Sequence, residues 1–186
     1  MALLAHLRSA LGLPEAPAYL AGVSAGAAMA ERVVLEHPDA FSGAALISGA
    51  LDPAATPHRA APALADVTLV MIGQEDPDFG RLQAVARLRR DRNGCRAVSR
   101  VAVRAAATTE VYECDGARLE EWRMEAGHVW PGAADSGPLS WPEAPFAATD
   151  EILRMFGLSG PSSRLETAPP ANGGGSAAKT GSHTPQ

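Results

Sequence analysis

The sequence predicts an α/β domain built on a mostly parallel sheet. Two observations carry that prediction. Short apolar runs of strand length alternate with segments of helical period. Such alternation implies βαβ units rather than hairpins. No internal repeat is evident that would suggest a solenoid or propeller.

The elements follow in order. Residues 2–11 place Leu and Ala at helical spacing and stop near Gly12, Pro14 and Pro17. Residues 18–23 (Ala-Tyr-Leu-Ala-Gly-Val) form a short apolar strand candidate. Residues 25–36 are Ala-rich and read as a helix closed by His37-Pro38. Residues 42–48 are a second buried strand candidate. Pro53, Pro57 and Pro62 make residues 50–64 a loop. Residues 66–72 (Asp-Val-Thr-Leu-Val-Met-Ile) are the clearest strand. A helix with a basic face covers 79–91. Residues 110–114 and 117–124 read as two strands around a turn at Asp115-Gly116, and Phe146 to Phe156 as a final amphipathic helix. From about Ser159 the chain is Ser, Gly, Pro, Ala and Thr, which cannot bury enough apolar surface to offset ordering. The division expected is a folded region over 1–157 and a disordered tail over 158–186.

The chain has 186 residues, 46% of them hydrophobic and 20% charged, with a formal charge of −5. That composition suits a globular domain and argues against a nucleic-acid binder relying on general positive charge. No apolar run approaches the ~18 residues of a membrane span. Residues 1–8 do not read as a signal peptide, because Arg8 interrupts the apolar stretch and no basic segment precedes it. Fifteen arginines stand against a single lysine, Lys179. The Cys and His spacings match no zinc pattern, and no cofactor is expected.

Gly22-Val23-Ser24-Ala25-Gly26 fits G-x-S-x-G between a strand and a helix. In a nucleophile elbow, glycines at those places let helix and strand approach, and the serine hydroxyl is lifted clear of the sheet. The N–H of Ala25 would then face a developing oxyanion. The competing reading of Ser24 is a helix N-cap. A serine nucleophile needs a histidine base and a carboxylate that orients it, and on this type of fold they follow in the order Ser, Asp or Glu, His. Asp76 follows the strand 66–72, with Glu75 and Asp78 as rivals and an Asx turn before Pro77 as its other reading. His128 follows the strand 117–124. His6 lies on a helix, His37 and His58 precede the acid, and His183 is in the tail.

Four stretches together resemble the polyhydroxybutyrate-depolymerase family of esterases: Gly22 to Met29, His37-Pro38-Asp39-Ala40-Phe41, Gly73-x-x-Asp76-Pro77 and Gly127-His128-x-Trp130-Pro131-Gly132. The family belongs to the α/β-hydrolases and includes feruloyl- and acetylxylan-type esterases. The resemblance covers roughly 1–157. It implies hydrolysis of a carboxylic ester through an acyl-enzyme, with Ser24 as nucleophile, His128 as base and then acid, and Asp76 as orienter. It implies a polyester or an aryl or acyl ester as substrate, and secretion. Trp130 either lines the cleft or plugs the core. The resemblance also implies a Cys95–Cys114 disulfide, adding about 3 kcal/mol by closing a twenty-residue loop. Two free thiols are the alternative.

The sequence departs from the family in one respect. There the elbow follows the fifth strand of eight, and here it follows the first. The expectation is the C-terminal half of an α/β-hydrolase domain, lacking the loop that supplies a second oxyanion N–H. Loss of one such donor costs ~10²–10³ in rate, so weak or no activity is expected. Residues 18–23 then become an open apolar edge, which predicts poor solubility or self-association. The alternative function is accordingly an inactive fragment that self-associates or docks on a partner. A flavodoxin-like binding module needs a phosphate-cradling first loop that this sequence lacks.

Overall fold

In the computed structural model, residues 1–52, 64–103, 106–134 and 137–158 are described. The proline loop (Pro53, Pro57, Pro62) and the tail from residue 159 onward lie outside them. The elements are α1 (Ala2–Ala10), β1 (Tyr19–Val23), α2 (Ala25–Glu36), a 3-10 turn (Pro38–Ala40), β2 (Gly43–Ile47), β3 (Val67–Gly73), α3 (Phe79–Arg92), β4 (Arg96–Val103), β5 (Ala107–Cys114), β6 (Ala117–Met124), β7 (Trp130–Pro131), β8 (Ser140–Trp141) and α4 (Ala148–Met155).

The six-stranded sheet runs β1-β2-β3-β6-β5-β4. Its first four strands are mutually parallel, and β5 is antiparallel to both β6 and β4. The mixed α/β class with a mostly parallel sheet therefore holds. The two antiparallel pairings come from a β4–β5 excursion between α3 and β6.

The period-2 geometry of the strands divides the core into two layers. In β2, Ala44 and Leu46 face one side and Ala45 and Ile47 the other. In β3, Val70 and Ile72 oppose Leu69 and Met71. The first set packs under α2 (Ala27, Ala30, Val34) and α3 (Leu82, Val85, Ala86). The second packs under α4 and the segment before it, through Phe146, Ala148, Ile152 and Phe156. β2 and β3 are apolar on both faces because helices cover both.

Charged side chains enter this core in pairs. Arg89 is buried and donates from Nε and Nη2 to Glu31 Oε1, at 3.1 and 2.6 Å. Glu31 Oε2 accepts the Leu51 N–H at 2.8 Å, so one carboxylate joins α2, α3 and the segment after β2. Glu120 of β6 accepts from Trp122 Nε1 and Arg154 Nη2, at 2.9 and 2.8 Å, fastening α4 to the sheet. A disulfide joins Cys95 to Cys114, as the resemblance implied, and ties the start of β4 to the end of β5.

Two regions remain unpacked. Among the described residues β1 pairs with β2 alone and forms one edge of the sheet. α1 buries no residue, and its Leu3, Leu7 and Leu11 face solvent with Leu3 70% exposed. Among the described residues no helix is long and apolar enough to cross a membrane.

Candidate active site

β1, β2, β3 and β6 are parallel, so their C-terminal ends share one margin of the sheet, where open α/β sheets hold their sites. Ser24 follows β1 directly, Asp76 lies three residues past β3, and His128 four past β6.

Ser24 sits at φ 56°, ψ −123°, a left-handed conformation that is costly for a residue with a Cβ. The turn is tight because β1 reverses straight into α2. A Cβ on Gly22 would lie 2.3 Å from the Gly26 carbonyl carbon. The Ser24 N–H donates to Ile47 O at 2.9 Å, and its carbonyl accepts the Ala27 N–H at 3.0 Å. Ser24 is by position the N-cap residue of α2, but its hydroxyl makes no capping bond to the helix. Ala25, the first residue of α2, is exposed, and an N–H at that position has no partner within its own helix.

Of the three candidate carboxylates, Asp76 is the one that meets His128. Its side chain is 1% exposed. Oδ2 accepts from His128 Nδ1 at 2.7 Å, and Oδ1 accepts the Asp78 N–H at 2.8 Å. The Asx-turn reading and the partner reading are thus both true, one for each oxygen. Asp78 instead pairs with Arg81, and Glu75 is exposed. An ionised carboxylate only accepts, so Nδ1 carries the proton and Nε2 is left as an acceptor.

The histidine loop is drawn back across the sheet. Glu75 N–H donates to Ala126 O at 2.9 Å, and Gln74 N–H to Met124 O at 2.8 Å. At Gly73 a Cβ would lie 2.1 Å from Gly127 O, so only glycine lets the loop cross the end of β3. The crossing is needed because β1 and β3 lie two strands apart, roughly 10 Å. His128 is 31% exposed at its side chain. The Ser24 hydroxyl makes no hydrogen bond among the described residues, to His128 or to any other group. Nucleophile–base bonds in unliganded sites are often long and close only with substrate present.

Trp130 packs against the second core layer and its Nε1–H donates to Thr149 Oγ1 at 3.3 Å. The residue is only partly buried, so it touches the core and also keeps a face toward solvent. Ser48, which the sequence did not single out, follows β2 at φ 46°, and its buried hydroxyl has no partner among the described residues. In the ladder Val23 opposes Ile47, so Ser24 and Ser48 are neighbouring left-handed serines at the ends of adjacent strands. The Ser48-Gly49 pair after an apolar run was the available signal. Among the described residues no three His, Cys, Asp or Glu side chains converge as metal ligands would. No protein-family model matches the chain, and no curated protein matches it significantly.

Proposed function

We propose that this chain carries the catalytic centre of a serine esterase, with the α/β-hydrolase arrangement and the polyhydroxybutyrate-depolymerase type of site that its sequence blocks resemble. The observation that carries the reading is the hydrogen bond from His128 to the buried Asp76, at the same sheet margin as the left-handed Ser24 turn. In this reading Ser24 Oγ attacks the ester carbonyl while His128 Nε2 takes its proton. Asp76 steadies the imidazolium through Nδ1–H. The Ala25 N–H receives the carbonyl oxygen as it becomes negative. The alcohol departs with the proton from Nε2, leaving an acyl-Ser24 ester. Water, deprotonated by the same nitrogen, releases the acid. Polyesters and aryl or acyl esters are the substrate class. The disulfide is compatible with an extracellular location.

The test is a fluorophosphonate probe with peptide mapping, alongside hydrolysis of p-nitrophenyl butyrate. Label on Ser24, abolished by Ser24→Ala, is expected. Label that persists in Ser24→Ala, or never forms, refutes the assignment.

A second reading rests on two separate observations: among the described residues β1 pairs on one side only, and the leucines of α1 are unburied. It is an inactive chain that self-associates or docks on a partner. Size-exclusion chromatography distinguishes the two. A well-behaved monomer that labels at Ser24 excludes the second.

A further inference from the structure

A second polar cavity lies away from this margin. It occupies about 150 Å³ between α3 and β6, and none of Ser24, Asp76 and His128 lines it. That volume holds a molecule of about six non-hydrogen atoms. Ile72 and Ala86, both buried, supply apolar wall. The polar lining is Gln83, Arg87 and Arg90 from one face of α3, with Glu121 and Arg123 from β6.

The hydrogen-bonding needs of that lining are unmet in a complementary way. The Glu121 side chain is 5% exposed. Its Oε2 accepts from Arg90 Nη1, but its Oε1 is buried without a donor among the described residues. Proteins rarely leave such an atom unanswered. The side chains of Arg87 and Gln83 make no hydrogen bond or ion pair with any described residue. Arg123 is held by Glu110 at 3.2 Å. Three guanidiniums against one carboxylate leave the lining positive. A ligand that answers all of this brings a negative group for Arg87 and a donor for Glu121 Oε1. We infer that the cavity between α3 and β6 binds a small carboxylate that also bears a hydroxyl or ammonium group, of about two to four carbons. The same chemistry could come from a hydroxy acid or from an amino acid.

The experiment is calorimetric titration of the full chain with glycolate, glycine, acetate and ethanolamine. Either glycolate or glycine should bind one to one with a Kd on the order of a millimolar, as suits so few atoms. Acetate, which lacks the donor, and ethanolamine, which lacks the carboxylate, should each bind at least about tenfold more weakly. Whichever of the first two binds identifies the source. Arg87→Ala should weaken binding about tenfold or more. Arg87 is exposed and unpaired, so this variant keeps the fold. Glu121→Gln should reduce the preferred ligand to the affinity of acetate, and Gln83→Ala backs it up if Glu121→Gln fails to fold. Acetate binding as well as glycolate and glycine, binding unaffected by Arg87→Ala, or no heat from any ligand up to about 20 mM overturns the inference. Ser24 labelling is read on the same samples, so failure of this site is distinguishable from failure of the esterase reading.

Discussion

Replacing Gly22 by alanine sets a methyl group against backbone that has nowhere to go. The added Cβ would stand 2.3 Å from both the carbonyl carbon and the oxygen of Gly26, and 2.7 Å from the Ala27 nitrogen. Ordinary contact begins at 3.4 Å, so the strand and the first turn of α2 must part by about an ångström. Those atoms belong to a helix already bonded back to Ser24, and no side chain can swing aside. Overpacking of this kind costs typically 1–3 kcal/mol and sometimes more. At about 3 kcal/mol the melting midpoint falls by about 6–12 °C for a chain of this length. The other glycine of the same motif is the control. A Cβ on Gly26 meets nothing within 4 Å and sits in a helix without a positive φ. Gly26→Ala should be neutral, or stabilising by up to about 1 kcal/mol. Thermal melts followed by circular dichroism read both variants. The reasoning fails if Gly22→Ala melts within about 1 °C of the parent, or if Gly26→Ala loses more than Gly22→Ala.

Three further outcomes are expected. Asp76→Asn can still accept the Asp78 N–H but no longer holds the imidazolium. Hydrolysis of p-nitrophenyl butyrate should drop by about 10⁴-fold with the circular-dichroism spectrum unchanged, and an undiminished rate would remove Asp76 from the site. Full reduction of Cys95–Cys114, verified by thiol titration, should lower the unfolding free energy by about 3 kcal/mol through the loop it closes, and an unmoved denaturant midpoint contradicts this. Burial pushes the Glu121 carboxyl above its ordinary 4.5, outweighing the pull of Arg90, Arg89 and Arg123. A raised folded pKa gives stability that is complete below the unfolded value and lost as pH rises through the folded one. Glu121→Gln should therefore gain on the parent in denaturant melts as pH climbs from about 4.5. A variant that falls behind instead would reverse the sign of that argument.

What could be read from the sequence followed burial. β2 and β3 were legible because both faces are covered and the runs are uniformly apolar. β4 was not, because it is the outer strand and its Val98 and Val101 are exposed. With residues 96–101 all exposed there is no alternation of burial to detect. β5 begins at Ala107, three residues before the expected start, since Ala-Thr-Thr carries no strand pattern of its own. α1 shows the converse, a helical period that is real yet buries no residue. At the site, Asp76 and His128 were legible because each follows a strand in a parallel sheet. That the Ser24 hydroxyl would lack a partner was not, since it depends on how far a loop crosses β3. Glu120 and Glu121 look like a solvated pair in the sequence. Their burial depends on Arg90 and Arg154, thirty-one and thirty-four residues away.

The position of β1 has a consequence for the order in which the site comes apart. Asp76 and His128 hang from interior strands, whose amides open only when much of the sheet opens. Ser24 is anchored through an edge strand with one neighbour, and such segments exchange their amide hydrogens through small, frequent fluctuations. Hydrogen exchange should accordingly be faster across 19–23 than across 67–73. On warming, reactivity toward the phosphonate probe should fade before the far-ultraviolet signal does. The Ser24 turn would thus be lost by local fraying while the Asp76–His128 pair was still in place.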